Sequence, residues 1–287
     1  MGTIIDKITE FIKEMLQGWV LDNLETMFTD VNTKVGSIAG EVGQTPSSWN
    51  AGIFSMIRNF SDNVMIPIAG MIISAILCYE LITMVMDKNN MHEMGSEFFF
   101  RYLIKACVAV MLLSKTFDIT MAIFDVGNHI VTSASGVITG STSLDVSSTL
   151  QTMFNDQLST MGIGELIGLG IETMIVSLCM KIMSVLITVV LYGRMIEIYL
   201  YISVAPVPFA TLSNREWGSI GNNYIKGLCA LAFQGFFIMV CVGIYSVLVS
   251  SVAVASNLHT ALWSVAAYTV ILCFSSVSYT HLRAHET

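Results

Sequence analysis

Eight ionisable residues stand inside or at the edges of long apolar runs: Glu80, Lys105, Lys115, Asp118, Glu172, Lys181, Arg194 and Glu197. A charged side chain in hydrocarbon costs roughly 2.5 to 3.5 kcal/mol on insertion scales, so each must face a partner, a polar path or an assembly contact. Lys115 and Asp118 are three apart on one helical face, where they neutralise each other or line such a path or contact. Arg194 and Glu197 are one turn apart and read as an ion pair at a membrane edge. Glu172 and Lys181 are separated by about two and a half turns, too far to pair on one helix, so each needs a partner elsewhere. Glu80 is the candidate partner for Lys181.

Catalytic templates fail against this chain. It has no GxxxxGK[ST] to cradle phosphate, no HExxH for zinc and no GxSxG elbow. Gly162-Ile163-Gly164-Glu165 falls one residue short of the GxGD of intramembrane aspartyl proteases, and no second Asp motif accompanies it. Before the last eleven residues the histidines are His92, His129 and His259, far apart in sequence. Cys78, Cys107, Cys179, Cys229, Cys241 and Cys273 all lie in apolar runs without a CxxC pair, and read as small buried hydrophobes. The expectation is therefore no enzyme, no catalytic residue, no cofactor and no metal.

The elements that carry the charges are apolar helices. Of 287 residues, 54% are hydrophobic and 12% charged, against about 25% charged in an ordinary soluble domain. Lipid must solvate the excess. A net charge of −8 without any basic stripe excludes a dedicated nucleic-acid-binding surface. The N-terminal MGTIIDKITEFIKEML carries charges among its apolar residues and no small-residue cleavage site, so it does not read as a cleavable signal peptide.

Residues 4–35 place Ile4, Ile8, Phe11, Ile12, Met15, Trp19, Leu24, Met27, Phe28 and Val31 at helical spacings among charges, which predicts one or two amphipathic helices. Gly36 to Asn50, rich in Gly, Ser and Thr, predicts a linker. Spans follow at Val64 to Met86, within Tyr102 to Asp125, at Ile167 to Leu191, at Ile225 to Val249, and from Leu258 onward. Met195 to Leu212 is apolar but carries Pro206 and Pro208, which break a straight helix, so it reads as a re-entrant or interfacial segment. Gly127 to Gly164 lacks Lys and Arg and reads as a long external loop with some helix near Leu150 to Leu158. With Lys88, Arg101, Arg194, Arg215 and Lys226 in the cytoplasm, five spans result, the N-terminus outside, and Arg215 and Lys226 on a cytoplasmic loop.

The fold expected is all-α and polytopic. Residues 1–62 form an N-terminal amphipathic region and linker, and 63–276 a transmembrane domain with its external loop at 127–164. Residues 277–287, VSYTHLRAHET, resemble a translated sequencing adapter and read as a non-native tail. Ahead of that tail the apolar run Ala261 to Phe274 would rise only about 21 Å, so the last span looks cut short.

Three strings stand out: GQTPSSWNAGIFSMIRNFSDNVMIPIAGMI at 43–72, YGRMIEIYLYISVAPVPFATLSNREWGSIGNNYIKGL at 192–228, and the following ALAFQGFFIMV. On these, and near full length to Phe274, the chain resembles the TrbL/VirB-six-like conjugal transfer family of Gram-positive conjugative elements, the polytopic channel subunit of type IV secretion systems. The resemblance implies a subunit that oligomerises in the cytoplasmic membrane beside the transfer ATPases and other secretion subunits. It would help single-stranded DNA and its relaxase leave the donor, with transient DNA contact and no catalytic residues. The alternative, a secondary transporter or channel for a small solute, would favour inverted repeats with paired broken helices, whereas one broken segment and no repeat is present.

Overall fold

The computed structural model describes residues 2–86, 96–141, 157–252 and 258–281. Among these the chain is all-helical, as its composition requires. The first helix, α1 (Gly2–Val42), is unbroken, so the linker expected from Gly36 begins only after Val42. Burial overrides the weak helix propensity of Gly and Ser there, because Ile38 and Val42 are core residues. Leu24 and Met27 are also buried, whereas Ile4, Ile8, Phe11 and Met15 are exposed. The side chains of Phe28 and Val31 lie outside what the structure describes.

A short helix, α2 (Pro46–Trp49), is set by a reciprocal capping box. The Ser48 N–H donates to Thr45 Oγ1 at 3.3 Å, the Thr45 N–H donates to Ser48 Oγ at 3.0 Å, and Pro46 takes the first position, where its missing N–H costs nothing. Asn50 then caps α3 (Ala51–Phe60), its Oδ1 accepting the Ile53 N–H at 3.0 Å. One π-helical turn, Ser61–Met65, leads into α4 (Ile66–Met86), and the whole stretch Ala51–Met86 is 36 residues without interruption. Pro67 accounts for the wide turn. It lacks the N–H that would reach back to Asn63, and its ring crowds that carbonyl.

The span expected within Tyr102 to Asp125 is a bent pair rather than one straight helix. Helix α5 (Ser96–Ser114) and α6 (Thr116–Ser141) meet at Lys115 with a 63° bend. Thr116 Oγ1 donates to the carbonyls of Leu112 at 3.0 Å and Leu113 at 2.9 Å, the kind of back-bonding that competes with the helical ladder and bends it. Helix α6 also corrects the expected loop at 127–164. It continues to Ser141, a helical turn occupies 157–160, and residues 142–156 are outside the described set.

Helix α7 (Ile163–Val204) corrects a second expectation. Met195 to Val204 continue the third span's helix, and the interruption falls at Ala205, after which Pro206 opens the short α8 (Pro206–Thr211). Proline stops only the turn before it, so the apolar run upstream stays helical. Helix α9 (Gly218–Val252) and α10 (Leu258–His281) are the last of the described elements. Helix α10 passes through the residues expected to open the tail, and Leu258–Val277 has the length and hydropathy of a span. Residues 253–257 and 282–287 lie outside the described set, as does Lys88.

Among the described residues four helices are long and apolar enough to cross a membrane, or five if the bent pair counts as one span. The chain divides into two compact units. One comprises Met1–Gly43, Val131–Tyr192 and Phe236–Thr287, around a core that includes Val20, Leu24, Leu166, Leu169, Ile238 and Val265. The other comprises Gln44–Ile130 and Gly193–Gly235, with clusters around Ile198, Ile202 and Leu228 and around Ala69, Ile73 and Ala210.

Candidate functional site

Within the Gln44–Ile130 and Gly193–Gly235 unit, the first two of the three strings that stand out in the sequence pack on each other. The Tyr199 hydroxyl donates to the Pro46 carbonyl at 2.6 Å, and its ring lies 5.9 Å from that of Trp49. Phe54 meets Phe117 edge-on at 5.6 Å, and the Arg58 guanidinium sits 5.2 Å from the Phe117 ring centroid. Tyr224 stacks on Tyr201 and donates to its carbonyl at 2.6 Å. Tyr199→Phe is expected to keep the packing and lose one buried hydrogen bond, lowering stability by about 1 kcal/mol. Thermal unfolding in detergent would measure it, and an unshifted midpoint would count against the bond.

The same unit holds three expected polar sites. Glu80 on α4 pairs with Lys105 on α5, and the Tyr102 hydroxyl donates to the Leu77 carbonyl at 3.1 Å beside them. Glu80 thus takes Lys105 rather than the expected Lys181, because α4 and α5 are packed neighbours. Lys115 and Asp118 sit 3.3 Å apart with both side chains more than half exposed, the local neutralisation that their spacing allows. Arg194 is buried, and Glu197, one turn on, supplies it with a favourable charge. Pro206 is buried at the start of α8, which packs against α4 and α5. Asn214 Oδ1 accepts the N–H groups of Glu216 at 2.7 Å and Trp217 at 3.1 Å, shaping the turn that leads into α9. Arg215 and Lys226 are exposed on either side of that start.

In the other unit, Glu172 on α7 contacts His259 Nδ1 on α10 at 2.6 Å. Sequence reasoning required an off-helix partner for Glu172 but did not find His259, since nothing in a linear pattern links positions 87 residues apart. Gln234 was also missed. It is buried within α9, and a lone amide inside ALAFQGFFIMV is the signal that could have found it. Gly164 and Gly168 have the small-xxx-small spacing that permits close helix approach, yet nothing lies within 4 Å of where a Cβ would stand at either. Gly170 is the close-approach position instead, against the Trp19 ring. Among the described residues no three His, Cys, Asp or Glu side chains gather as a metal site would need.

Long apolar helices that carry a few paired charges, with no assembled catalytic group among the described residues, define a multi-pass membrane protein. The chain belongs to the family described as TrbL/VirB6 plasmid conjugal transfer like protein, whose model matches residues 31–206. That match runs from the second half of α1 to the proline that ends α7. No curated protein and no solved structure matches the chain. Membership makes it a membrane component of conjugation machinery, part of a type IV secretion system.

Proposed function

We propose that this chain is a channel or scaffold subunit of the type IV secretion apparatus in the cytoplasmic membrane, supporting passage of single-stranded DNA with its relaxase. The observation that carries the reading is the family match across residues 31–206, which covers the bent pair and all of α7. The length of the helices supports it. Helix α7 has 42 residues, and would extend about 63 Å against a hydrocarbon core of about 30 Å. Much of it must leave the lipid, and there it can meet other secretion subunits, including the transfer ATPases. The subunit works as a homo-oligomer with its N-terminus outside, an orientation that keeps Arg101, Arg194, Arg215 and Lys226 on the cytoplasmic side.

An in-frame deletion is expected to reduce conjugative transfer to background while the relaxase still nicks the transfer origin, and the plasmid-borne gene should restore transfer. Unchanged transfer frequency in the deletion strain would overturn the reading. Loss of nicking together with transfer would place the defect upstream of secretion and overturn it as well.

A further inference from the structure

The unit formed by Met1–Gly43, Val131–Tyr192 and Phe236–Thr287 carries an open-sided cavity of about 470 Å³. That volume lies within the range of small-molecule sites, roughly 300 to 1,000 Å³. Residues of α1, α7, α9 and α10 line it, and the last three of these helices are candidate spans. Two opposite charges face it, Asp30 from α1 and Lys181 from the middle of α7. Among the described residues they form no ion pair with each other or with any other group.

Hydroxyls complete the polar wall: Thr33 from α1, Ser184 one turn below Lys181, and Tyr245 from α9. Thr269 Oγ1 gives its proton to the Val265 carbonyl at 2.9 Å, so in its 2.9 Å contact with Tyr245 the tyrosine is the donor. The Tyr245 oxygen keeps lone pairs that can accept from a ligand. Val185 and Leu272 supply an apolar wall beside these groups.

Neither charge has an ion-pair partner among the described residues, and a charge that faces lipid is costly unless it is met. A purely anionic ligand would satisfy Lys181 and leave Asp30 opposed to it, and a cation would do the reverse. A zwitterion satisfies both. We propose that this cavity binds a phospholipid whose headgroup joins a phosphate to a primary ammonium, as in phosphatidylethanolamine. The phosphate meets Lys181 and the Ser184 and Thr33 hydroxyls, the ammonium meets Asp30 and the Tyr245 oxygen, and an acyl chain lies along Val185 and Leu272. The lipid then fastens α1 to the spanning helices.

The test is native mass spectrometry of the full chain in detergent, incubated with equal amounts of phosphatidylethanolamine, phosphatidylcholine and phosphatidylglycerol. Phosphatidylethanolamine should be retained about tenfold better than the other two, the ratio one charge-assisted hydrogen bond of about 1.4 kcal/mol gives. Phosphatidylcholine is the informative control because its quaternary ammonium cannot donate a hydrogen bond to Asp30. Asp30→Asn should erase the preference over phosphatidylcholine, and Lys181→Gln should lower retention of all three. Free O-phosphoethanolamine should compete only weakly, and tighter binding of the free compound than of the lipid would overturn lipid as the occupant. Equal retention of the three headgroups by the wild-type chain overturns the proposal without any variant, and so does unchanged selectivity in Asp30→Asn.

Discussion

Glu80→Lys should leave little folded protein in the membrane fraction, and adding Lys105→Glu should bring it back. In the native chain the Glu80 and Lys105 side chains are 22% and 37% exposed and satisfy each other between α4 and α5. The single reversal sets two ammonium groups side by side where the surroundings are apolar. Each uncompensated charge there costs about 2.5 to 3.5 kcal/mol, a large share of a stability of roughly 5 to 15 kcal/mol. Partial exposure lowers that cost wherever water, rather than lipid, reaches the pair. The double reversal rebuilds the pair with its polarity exchanged. Pairing Glu80→Lys with Lys181→Glu should not rescue, since Lys105 then still faces a lysine. The readout is the yield of monodisperse protein on size exclusion after detergent extraction. A single variant as well behaved as the wild type would show that the α4–α5 pair does not hold the fold.

Gly221→Ala should be nearly as damaging, although it adds only a methyl group. A Cβ at Gly221 would stand 2.6 Å from both Leu212 Cγ and the Pro208 carbonyl oxygen, far inside van der Waals contact. The leucine can turn aside, but the carbonyl belongs to α8, which is held by α4 and α5 and cannot retreat cheaply. Overpacking of this kind costs about 1 to 3 kcal/mol and more where backbone must move. Gly168→Ala is the matched control, because nothing lies within 4 Å of its Cβ position and alanine favours a helix. Thermal unfolding in detergent should therefore fall for Gly221→Ala and hold or rise for Gly168→Ala. Equal behaviour of the two would remove the close approach of α9 to α8 as a determinant of stability.

The spans were legible in the sequence because each is an apolar run that only lipid or a core can accept, as with Val64 to Met86 and Ile225 to Val249. Extents were less legible where propensity and burial disagree. Gly36 to Val42 and Gly127 to Ser141 are rich in Gly, Ser and Thr, yet they are helical because Ile38, Val42 and Val131 are buried and Gly127 lets Ala232 approach closely. The prolines at 206 and 208 drew the break too early, since a proline marks the end of the preceding helix and says nothing of the ten residues before it. The sites divide along the same line. Lys115 with Asp118 was readable because one helix brings them together. Glu80 with Lys105 and Glu172 with His259 depend on which helices are neighbours, and no spacing rule encodes that.

The π-helical turn at Ser61–Met65 has a bearing on how this stretch tolerates length change. Ile53, Phe54 and Ile57 pack on one side of it, and Ala69, Ile73 and Ile76 are buried on the other. An uninterrupted α-helix turns about 100° per residue, and carrying the first seam forward would bring it to positions near 68 and 71–72. The inward positions come one place later, so the wide turn absorbs a single surplus residue and keeps both seams on a common azimuth. An indel here is therefore a rotation. Adding or removing one residue would swing Ala69, Ile73 and Ile76 about a quarter-turn away from their neighbours, as no exposed connector of the same length would.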